Sequence, residues 1–155
     1  MSVKFSVIIP LYNKAAEIER TLRSVLAQTE LPHEIVVVDD GSTDSSGKIC
    51  EEYLEKDERV TVIHKKNGGL CSARNAGIDW VFANSDSQWI TFVDSDDSIL
   101  PTFLEIMFGA VKDTGADISA CMAIHFTNQA QLEDVSDIVH YTVEMEGKDA
   151  CKRRY

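Results

Sequence analysis

Basic residues are scarce in this 155-residue chain, which has 15 lysines and arginines against 26 aspartates and glutamates and a formal net charge of −11. Binding nucleic acid over a broad surface needs a basic face, so this charge argues against a nucleic-acid partner. It does not argue against a small anionic ligand, provided that a metal ion or a few local cations receive its charge. Hydrophobic residues make up 44% of the chain, which is ordinary for one globular domain with its own core.

Cysteine pairs and long apolar runs are absent as well. The cysteines are widely spaced, without a Cys-x-x-Cys pair or a zinc-finger spacing, and they are Cys50, Cys71, Cys121 and Cys151. We interpret them as reduced thiols in a cytoplasmic protein. No segment approaches the roughly 20 apolar residues of a membrane span, and the run Phe5 to Leu11 is too short for a signal peptide. Peripheral association with the inner face of a membrane stays open.

The glycine motifs that cradle phosphate groups are also missing. Neither Gly-x-Gly-x-x-Gly nor Gly-x-x-x-x-Gly-Lys-Ser/Thr follows the first apolar run. A diphosphate bound by this chain would therefore need a cation to neutralise it.

Continuous apolar runs without alternation predict strands that are buried on both faces, as in a parallel sheet. These runs are Phe5 to Pro10, Glu34 to Asp40, Val60 to His64 and Trp89 to Val93. Asp117 to Phe126 predicts a fifth strand. Apolar positions at helical spacing fall between the runs and predict helices, with stripes that begin at Ile18, Ile49, Leu70 and Phe103. The alternation predicts an α/β fold with a mostly parallel, Rossmann-like sheet flanked by helices.

The pattern weakens after Thr127. Gln129 to Asp137 predicts a surface loop, and Ile138 to Val143 predicts a further, antiparallel strand. We expect residues 1–155 to form one domain that is truncated relative to a longer protein.

Four polar clusters follow the predicted strands at their carboxyl ends. They are Pro10 to Asn13, Asp39 to Asp44, Lys65 to Arg74, and Asp94 to Asp97. The carboxyl ends of parallel strands share one edge of a sheet, where ligands bind in folds of this class. The shared location therefore predicts one composite site.

The last of these clusters places three carboxylates within four residues, Asp94, Asp96 and Asp97. Like charges at this range are unfavourable on their own, and a hard divalent cation such as Mn²⁺ or Mg²⁺ is a common remedy. A solvated acidic turn is the alternative interpretation.

Other residues of the clusters suit an anionic or nucleotide ligand. Arg74 can pair with a phosphate or with a carboxylate, and a surface ion pair is its alternative. Asp39 and Asp40 end the second strand, where an acidic residue can accept hydrogen bonds from a base or a ribose, or can cap the next helix. Tyr12 can stack on a base or merely pack. The four histidines show no ligand spacing, and we assign them no function.

Taken together, the motifs resemble those of family-two glycosyltransferases with the GT-A fold. The resemblance rests on Val7-Ile8-Ile9-Pro10-Leu11-Tyr12-Asn13, Val38-Asp39-Asp40-Gly41-Ser42-Thr43-Asp44, Asn67-Gly68-Gly69 with Ala73-Arg74-Asn75-Ala76-Gly77, and Phe92-Val93-Asp94-Ser95-Asp96-Asp97. Each motif alone is moderately specific, whereas all four in this order are highly specific. The resemblance covers about residues 3–125.

The resemblance implies transfer of a sugar from a nucleotide-diphosphate donor, with uridine expected, to a saccharide or lipid-linked acceptor hydroxyl. It implies inversion at the anomeric carbon, help from Mn²⁺ or Mg²⁺, and a role in polysaccharide biosynthesis. It also implies roles for site residues. Pro10 and Tyr12 would line the base pocket, Asp40 would bond the uracil edge, Arg74 would support the diphosphate, Asp94 would lie near ribose and metal, and Asp96 would ligate the metal. Asp39 and Ser95 would complete the donor site, and Asp97 would adjust it.

In the resembled family the catalytic base lies later in the chain, and no residue from Glu133 to Asp149 matches its motif. We therefore expect the base beyond Tyr155 and weak or no transfer by this chain alone. A non-catalytic module that binds nucleotide sugars or carbohydrates is the main alternative. A phosphoaspartyl enzyme of the haloacid-dehalogenase type and a signalling receiver fit poorly, because their acidic motifs follow a different order. A calcium loop fails because Ile99 stands where glycine is needed.

Overall fold

The computed structural model describes residues 4–121. Strands and helices alternate along this part of the chain, as predicted. The elements are β1 (Phe5–Leu11), α1 (Ile18–Leu26), β2 (Glu34–Asp39), α2 (Ser46–Leu54), β3 (Val60–His64), α3 (Leu70–Asn84), β4 (Trp89–Phe92) and α4 (Phe103–Thr114). Among residues 4–121, no helix is both long and apolar enough to cross a membrane.

The four strands form one parallel sheet in the order β3-β2-β1-β4. Ile8 at the centre of β1 lies opposite Val36 of β2 on one side and opposite Phe92 of β4 on the other. All seven residues of β1 are buried, and so are five of the six residues of β2. The prediction of burial on both faces holds for β1 and β2, whereas β3 and β4, the outer strands of this sheet, are only partly buried. The parallel sheet flanked by helices confirms the predicted α/β fold.

Side chains from alternate positions of β1 and β2 build a core on each face of the sheet. On one face, Val7, Ile9 and Leu11 pack with the buried stripe of α1, which is Ile18, Leu22 and Val25. On the other face, Ile8, Val36 and Val38 pack with Ala73 and Val81 of α3. Burial of these side chains, at about 1.5–3 kcal/mol for a large one, stabilises the sheet that presents the polar clusters.

Gly77 allows α3 to approach the sheet closely. A Cβ atom at this position would lie 2.5 Å from Ile8 Cγ2 and 3.3 Å from Val38 Cγ2, and both neighbours are fully buried. We expect Gly77→Ala to lower the free energy of unfolding by about 1–3 kcal/mol, because the added methyl group overpacks the interface. Urea denaturation monitored by circular dichroism measures the change.

Gly109→Ala in α4 is the matched control for this prediction. A Cβ atom there meets nothing within 4 Å among residues 4–121. The substitution should be neutral or should stabilise by up to about 1 kcal/mol through helix propensity. Equal effects of the two substitutions would contradict the proposed role of Gly77.

Pro10 does not end the first strand, as the sequence had suggested, because β1 continues to Leu11 and Pro10 pairs with Val38. The amide nitrogens of alternate β1 residues face opposite neighbours. Leu11 bonds toward β2, where its carbonyl accepts the Asp40 N–H, whereas Ile8 bonds toward β4 and accepts the Val93 N–H. Pro10 therefore faces β4, whose ladder with β1 ends at Ile8 and Phe92. The missing N–H breaks no ladder hydrogen bond.

The chain divides into two compact units, Met1–Glu105 and Ile106–Tyr155. The first contains all four strands and α1 to α3. The described part of the second contains most of α4, followed by Gly115 in a left-handed conformation with φ 68°.

The prediction of a strand from Asp117 to Phe126 is wrong for its described part. Asp117 to Cys121 has no regular structure, and the Ile118 side chain is 83% exposed. A strand forms only with a hydrogen-bonded neighbour, and residues 117–121 pair with none among residues 4–121. The rest of this segment, the predicted loop Gln129 to Asp137 and the predicted strand Ile138 to Val143 lie outside the described residues.

Candidate functional site

The loops that follow β1, β2, β3 and β4 leave the sheet at one edge, because all four strands are parallel. Each of the four polar clusters follows one of these strands. The structure therefore brings the predicted site residues to one side of the sheet, and hydrogen bonds and ion pairs link neighbouring loops.

Asp40 joins the end of β2 to the loop before α3. The residue is buried, with 2% of its surface exposed, and its Oδ1 lies 2.5 Å from the Lys65 ammonium. The N–H of Gly68 donates to both carboxylate oxygens at 3.0 and 3.1 Å, and that of Gly69 donates to Oδ2 at 2.8 Å. Burial raises the pKa of Asp40, but the bonds from Lys65 and the two glycines outweigh it and hold the pKa below the ordinary 3.8. The carboxylate is thus ionised and well supplied with donors.

Asp39 serves the β2–α2 loop and a histidine. Its Oδ1 accepts the Ser42 N–H at 2.9 Å, and its Oδ2 lies 2.9 Å from His64 Nδ1. The other ring nitrogen of His64 lies 2.6 Å from Glu51 Oε1. A Cβ atom at Gly47 would lie 2.8 Å from Asp39 Oδ2, so glycine leaves room for this contact. The spacing of the histidines along the sequence gave no sign of this role, because the partners of His64 come from two other elements, β2 and α2.

The bond of His64 to Glu51, followed by its bond to Asp39, raises the pKa of this imidazole above 6.5. A raised pKa in the folded state stabilises the protein below pH 6.5, and this contribution is lost as the pH rises through the folded value. His64 is half exposed, so we expect the wild type to lose no more than about 1 kcal/mol between about pH 6 and pH 8.5 relative to His64→Gln. Urea denaturation at both pH values measures the difference. Glu51→Gln should remove part of the same pH dependence of stability. Parallel pH profiles of stability for the wild type and His64→Gln would contradict the prediction.

The loop after β1 is fastened to the loop after β2. The backbone N–H groups of Asn13, Lys14 and Ala15 donate to Ser42 Oγ, Ser46 Oγ and Asp44 Oδ2 at 3.0, 2.8 and 3.1 Å. Asn13 has φ 50°, and its Oδ1 accepts the N–H of Thr43 at 2.7 Å.

Asn13 does not cap α1, because the residue before that helix is Glu17, and it instead accepts hydrogen bonds from the β2–α2 loop. Pro10 is buried within β1, whereas Tyr12 is 48% exposed. The Tyr12 ring is thus available to a ligand beside these joined loops. A base pocket lined by Pro10 and Tyr12 stays a prediction.

The acidic loop, residues Asp94 to Asp97, forms a turn closed by the Asp97 N–H and the Asp94 carbonyl at 3.0 Å. Two of its carboxylates pair with cations from other elements. Asp94 Oδ1 lies 2.7 Å from Arg74 Nη2, and Asp96 Oδ2 lies 2.7 Å from Lys14 Nζ. The bond from Lys14 lowers the pKa of Asp96, and the same bond raises the pKa of Lys14. Both charges are therefore present near neutral pH.

Helix α1 holds the backbone of the acidic loop. The hydroxyl of Thr21, which is fully buried, lies 3.0 Å from the Ser95 carbonyl and 2.7 Å from the Asp97 carbonyl. Arg20 Nη2 donates to the carbonyl between them, that of Asp96, at 2.7 Å. Two adjacent α1 residues thus bind three successive carbonyl oxygens. Sequence reasoning missed Lys14, Arg20 and Thr21, and only Thr21, as a hydroxyl within the apolar face of a helix, gave any signal.

Arg74 lies in the second turn of α3 and faces the same loop. Besides its bond to Asp94, its guanidinium carbon lies 5.7 Å from the centre of the Phe92 ring. Its Nε is buried and has no hydrogen-bond partner among residues 4–121. The helix thus links two parts of the site, because Gly69 just before it binds Asp40 and Arg74 binds Asp94.

The acidic loop suits a hard divalent cation that takes part of its ligand shell from a substrate. Asp94 and Asp96 offer carboxylate oxygens, which Mg²⁺ and Mn²⁺ prefer, and such ions commonly take one or two carboxylates and complete the shell with water and phosphate. Within residues 4–121, no cluster of three or more His, Cys, Asp or Glu side chains is arranged to hold a metal by itself. Asp94 and Asp96 are therefore the residues that would hold such a cation, with further ligands supplied from outside these two side chains.

Comparison with known proteins places this arrangement in a family. The family model for glycosyl transferase family 2 matches residues 6–147. The chain is 42% identical over 116 residues to the glycosyltransferase GlyA of Streptococcus pneumoniae, covering 75% of this chain and 16% of that protein. It is 34% identical over 150 residues to the putative glycosyltransferase EpsH of Bacillus subtilis, covering 97% of this chain and 41% of that protein. The chain thus spans less than half the length of these curated relatives.

Solved structures agree with the sequence matches. S. aureus TarS 1–349 in complex with UDP-GlcNAc aligns with a TM-score of 0.64 at 34% identity, over 74% of this chain and 33% of that one. The mannosyltransferase PcManGT from Pyrobaculum calidifontis, solved with GDP-Man and Mn²⁺, aligns with a TM-score of 0.53 at 26% identity, over 61% of this chain and 28% of that one. The parallel sheet, the linked loops at its carboxyl edge and the family match lead to one conclusion: the chain belongs to glycosyltransferase family 2.

Proposed function

We propose that this chain is the donor-binding part of a glycosyltransferase that moves a sugar from a nucleotide-diphosphate donor, with UDP-sugars favoured, to an acceptor hydroxyl with inversion. The observation that carries the proposal is the linked set of charges at the carboxyl edge, in which Lys14 reaches Asp96 and Arg74 reaches Asp94. Cations and carboxylates from three different elements meet there. The family membership and the UDP-GlcNAc complex of TarS support the donor class.

The donor's nucleoside would bind where β1 and β2 end. Tyr12 offers an exposed aromatic face for the base, and buried Pro10 would form the floor beneath it. Asp40 accepts hydrogen bonds from Lys65, Gly68 and Gly69 and so holds the β3–α3 loop in place. A uracil edge would bond to Asp40 by displacing one of these donors. Asp39 shapes the adjoining loop through Ser42.

The donor's diphosphate would bind near Arg74 and the acidic loop. Asp96 and Asp94 would hold Mn²⁺ or Mg²⁺, which when bound neutralises negative charge on the leaving nucleoside diphosphate. Arg74 holds the Asp94 carboxylate and presents a guanidinium that can also bind a phosphate oxygen. Ser95, which is nearly buried, keeps the turn close to α1, and Asp97 follows at its exposed end. The Mn²⁺ in the PcManGT structure supports a metal in this family.

We assign no catalytic base among the site carboxylates of residues 4–121. Asp39, Asp40, Asp94 and Asp96 are each already engaged by a cationic side chain, an imidazole or backbone N–H groups, so none of them is placed to take the proton of an acceptor hydroxyl. The base that deprotonates the acceptor hydroxyl is therefore proposed to lie in a part of the full protein beyond Tyr155. We further propose a saccharide or lipid-linked acceptor, a role in polysaccharide biosynthesis, and a cytoplasmic location at the inner face of a membrane.

Calorimetric titration tests the proposal. UDP-GlcNAc, UDP and GDP-mannose are titrated into the chain with Mn²⁺ present and again with a chelator. The proposal expects binding of at least one nucleotide ligand that strengthens roughly tenfold or more with Mn²⁺. Absence of binding by all three ligands with Mn²⁺ present would overturn it. Sugar transfer by a longer chain, without transfer by residues 1–155, distinguishes an enzyme with its base elsewhere from a module that only binds.

A further inference from the structure

Lys14 is held at its backbone and reaches the acidic loop with its side chain. Its N–H donates to Ser46 Oγ at 2.8 Å, and its carbonyl accepts the N–H groups of Glu17 and Ile18 at 3.1 and 2.9 Å. The ammonium crosses to Asp96 Oδ2 at 2.7 Å. The flexible part of this contact is therefore the four-carbon side chain, which can swing without disturbing the loop that carries it.

Lys14 is the cation that a metal ion on the Asp96 carboxylate would meet. Arg20 also contacts Asp96, but it donates to the backbone carbonyl and not to the carboxylate that Lys14 binds. Arg74 pairs with Asp94 instead. An ammonium and a divalent cation repel each other, so both cannot occupy the same carboxylate oxygen at low cost.

We propose that Lys14 competes with the divalent cation for Asp96, and that a bound diphosphate relieves this competition by taking the released ammonium. The inference rests on the proposed function. In the protein without ligand, Lys14 neutralises Asp96 and weakens metal binding. When metal and nucleotide bind together, the ammonium exchanges one carboxylate for the nearby anionic diphosphate. Metal and nucleotide therefore strengthen each other's binding, and by linkage the two effects are equal in size.

Mn²⁺ binding without nucleotide tests the competition directly. The free Mn²⁺ signal in electron paramagnetic resonance gives the affinity of the wild type and of Lys14→Met, Lys14→Arg and Asp96→Asn. We expect Lys14→Met to bind Mn²⁺ roughly three- to tenfold more tightly than the wild type, since an exposed ion pair and a nearby like charge are both removed. Lys14→Arg keeps a cation and should stay near the wild type. Asp96→Asn should lose most of the binding.

Lys4→Met is the matched control. Lys4 forms a similar exposed ion pair, with its ammonium 2.6 Å from Asp86. Asp86 lies just before β4, whereas Asp96 follows that strand. The substitution removes the same charge and should leave Mn²⁺ affinity unchanged, so it accounts for the general effect of a more negative chain. The titrations are then repeated with saturating UDP. Adding UDP should increase the Mn²⁺ affinity of Lys14→Met by a smaller factor than it increases that of the wild type.

Two failures are distinguishable. If the wild type binds Mn²⁺ and Lys14→Met binds it equally or more weakly, the competition is overturned while the proposed function stands. If neither protein binds Mn²⁺, with or without UDP, the metal role in the proposed function is overturned and the competition falls with it. Thermal unfolding of each variant verifies that the proteins compared are folded.

Discussion

Asparagine in place of Asp40 is expected to lower the free energy of unfolding by about 3 kcal/mol. The carboxylate is 2% exposed and accepts hydrogen bonds from Lys65, Gly68 and Gly69. Asparagine has the same shape but only one acceptor oxygen, and its amide group would face one of these donors. The substitution thus removes the negative charge that pairs with the Lys65 ammonium and leaves at least one glycine N–H without its acceptor. Urea denaturation at neutral pH measures the loss.

The pH dependence identifies the ionised carboxylate as the cause. Because the pKa of Asp40 is lowered in the folded protein, its contribution is complete well above pH 3.8 and is lost as the pH falls through the folded value. The difference between wild type and Asp40→Asn should therefore shrink in acid. Asp79→Asn, an exposed position on α3, is the control and should change stability by less than about 0.5 kcal/mol. An Asp40→Asn protein as stable as the wild type would contradict the prediction.

Asparagine in place of Asp96 is expected to weaken Mn²⁺-dependent nucleotide binding by roughly 100-fold. An amide oxygen carries no full charge, so the substitution removes the carboxylate proposed to bind the metal. Stability should change little, because the ion pair that is lost, with Lys14, is exposed. Calorimetric titration of UDP-GlcNAc at saturating Mn²⁺ gives the affinity, and denaturation of the same samples gives the stability.

Asp86→Asn provides the comparison for the Asp96 experiment. Asp86 precedes β4, whereas Asp96 follows it. The Asp86 side chain is 70% exposed and paired with Lys4. This variant should bind the nucleotide as the wild type does. If Asp96→Asn also bound the nucleotide normally with Mn²⁺, the metal would have to be held elsewhere, and the assignment of Asp96 would be wrong.

Elements within the sheet were predictable because burial leaves a continuous apolar run. The prediction of β3 as Val60 to His64 agrees with the structure at both ends, and the helical stripe predicted from Leu70 begins where α3 begins. Pro10 misled the prediction of the end of β1, since a proline ends a strand only where its missing N–H faces a partner strand. The described part of the predicted Asp117 strand is irregular, and an apolar alternation alone could not show whether a neighbouring strand exists.

The side of the molecule that carries the site was predictable, but the contacts within it were not. Parallel strands bring their following loops to one edge, so clusters after Asp39 and Phe92 had to come near each other. The partners of each carboxylate depend on backbone conformations that the sequence does not reveal. Gly69, for example, presents its N–H to Asp40 from a backbone with φ 87°, and Lys14 meets Asp96 across 82 residues of sequence.

Arg20 and Thr21 bind the acidic loop through the carbonyl oxygens of residues 95, 96 and 97, not through side chains. Every amino acid has the same carbonyl group, so this attachment does not depend on which residues occupy the loop. Side chains of the loop can therefore diversify during evolution while its path stays the same. A variant such as Asp96→Asn should therefore change the charge at the site without displacing the loop.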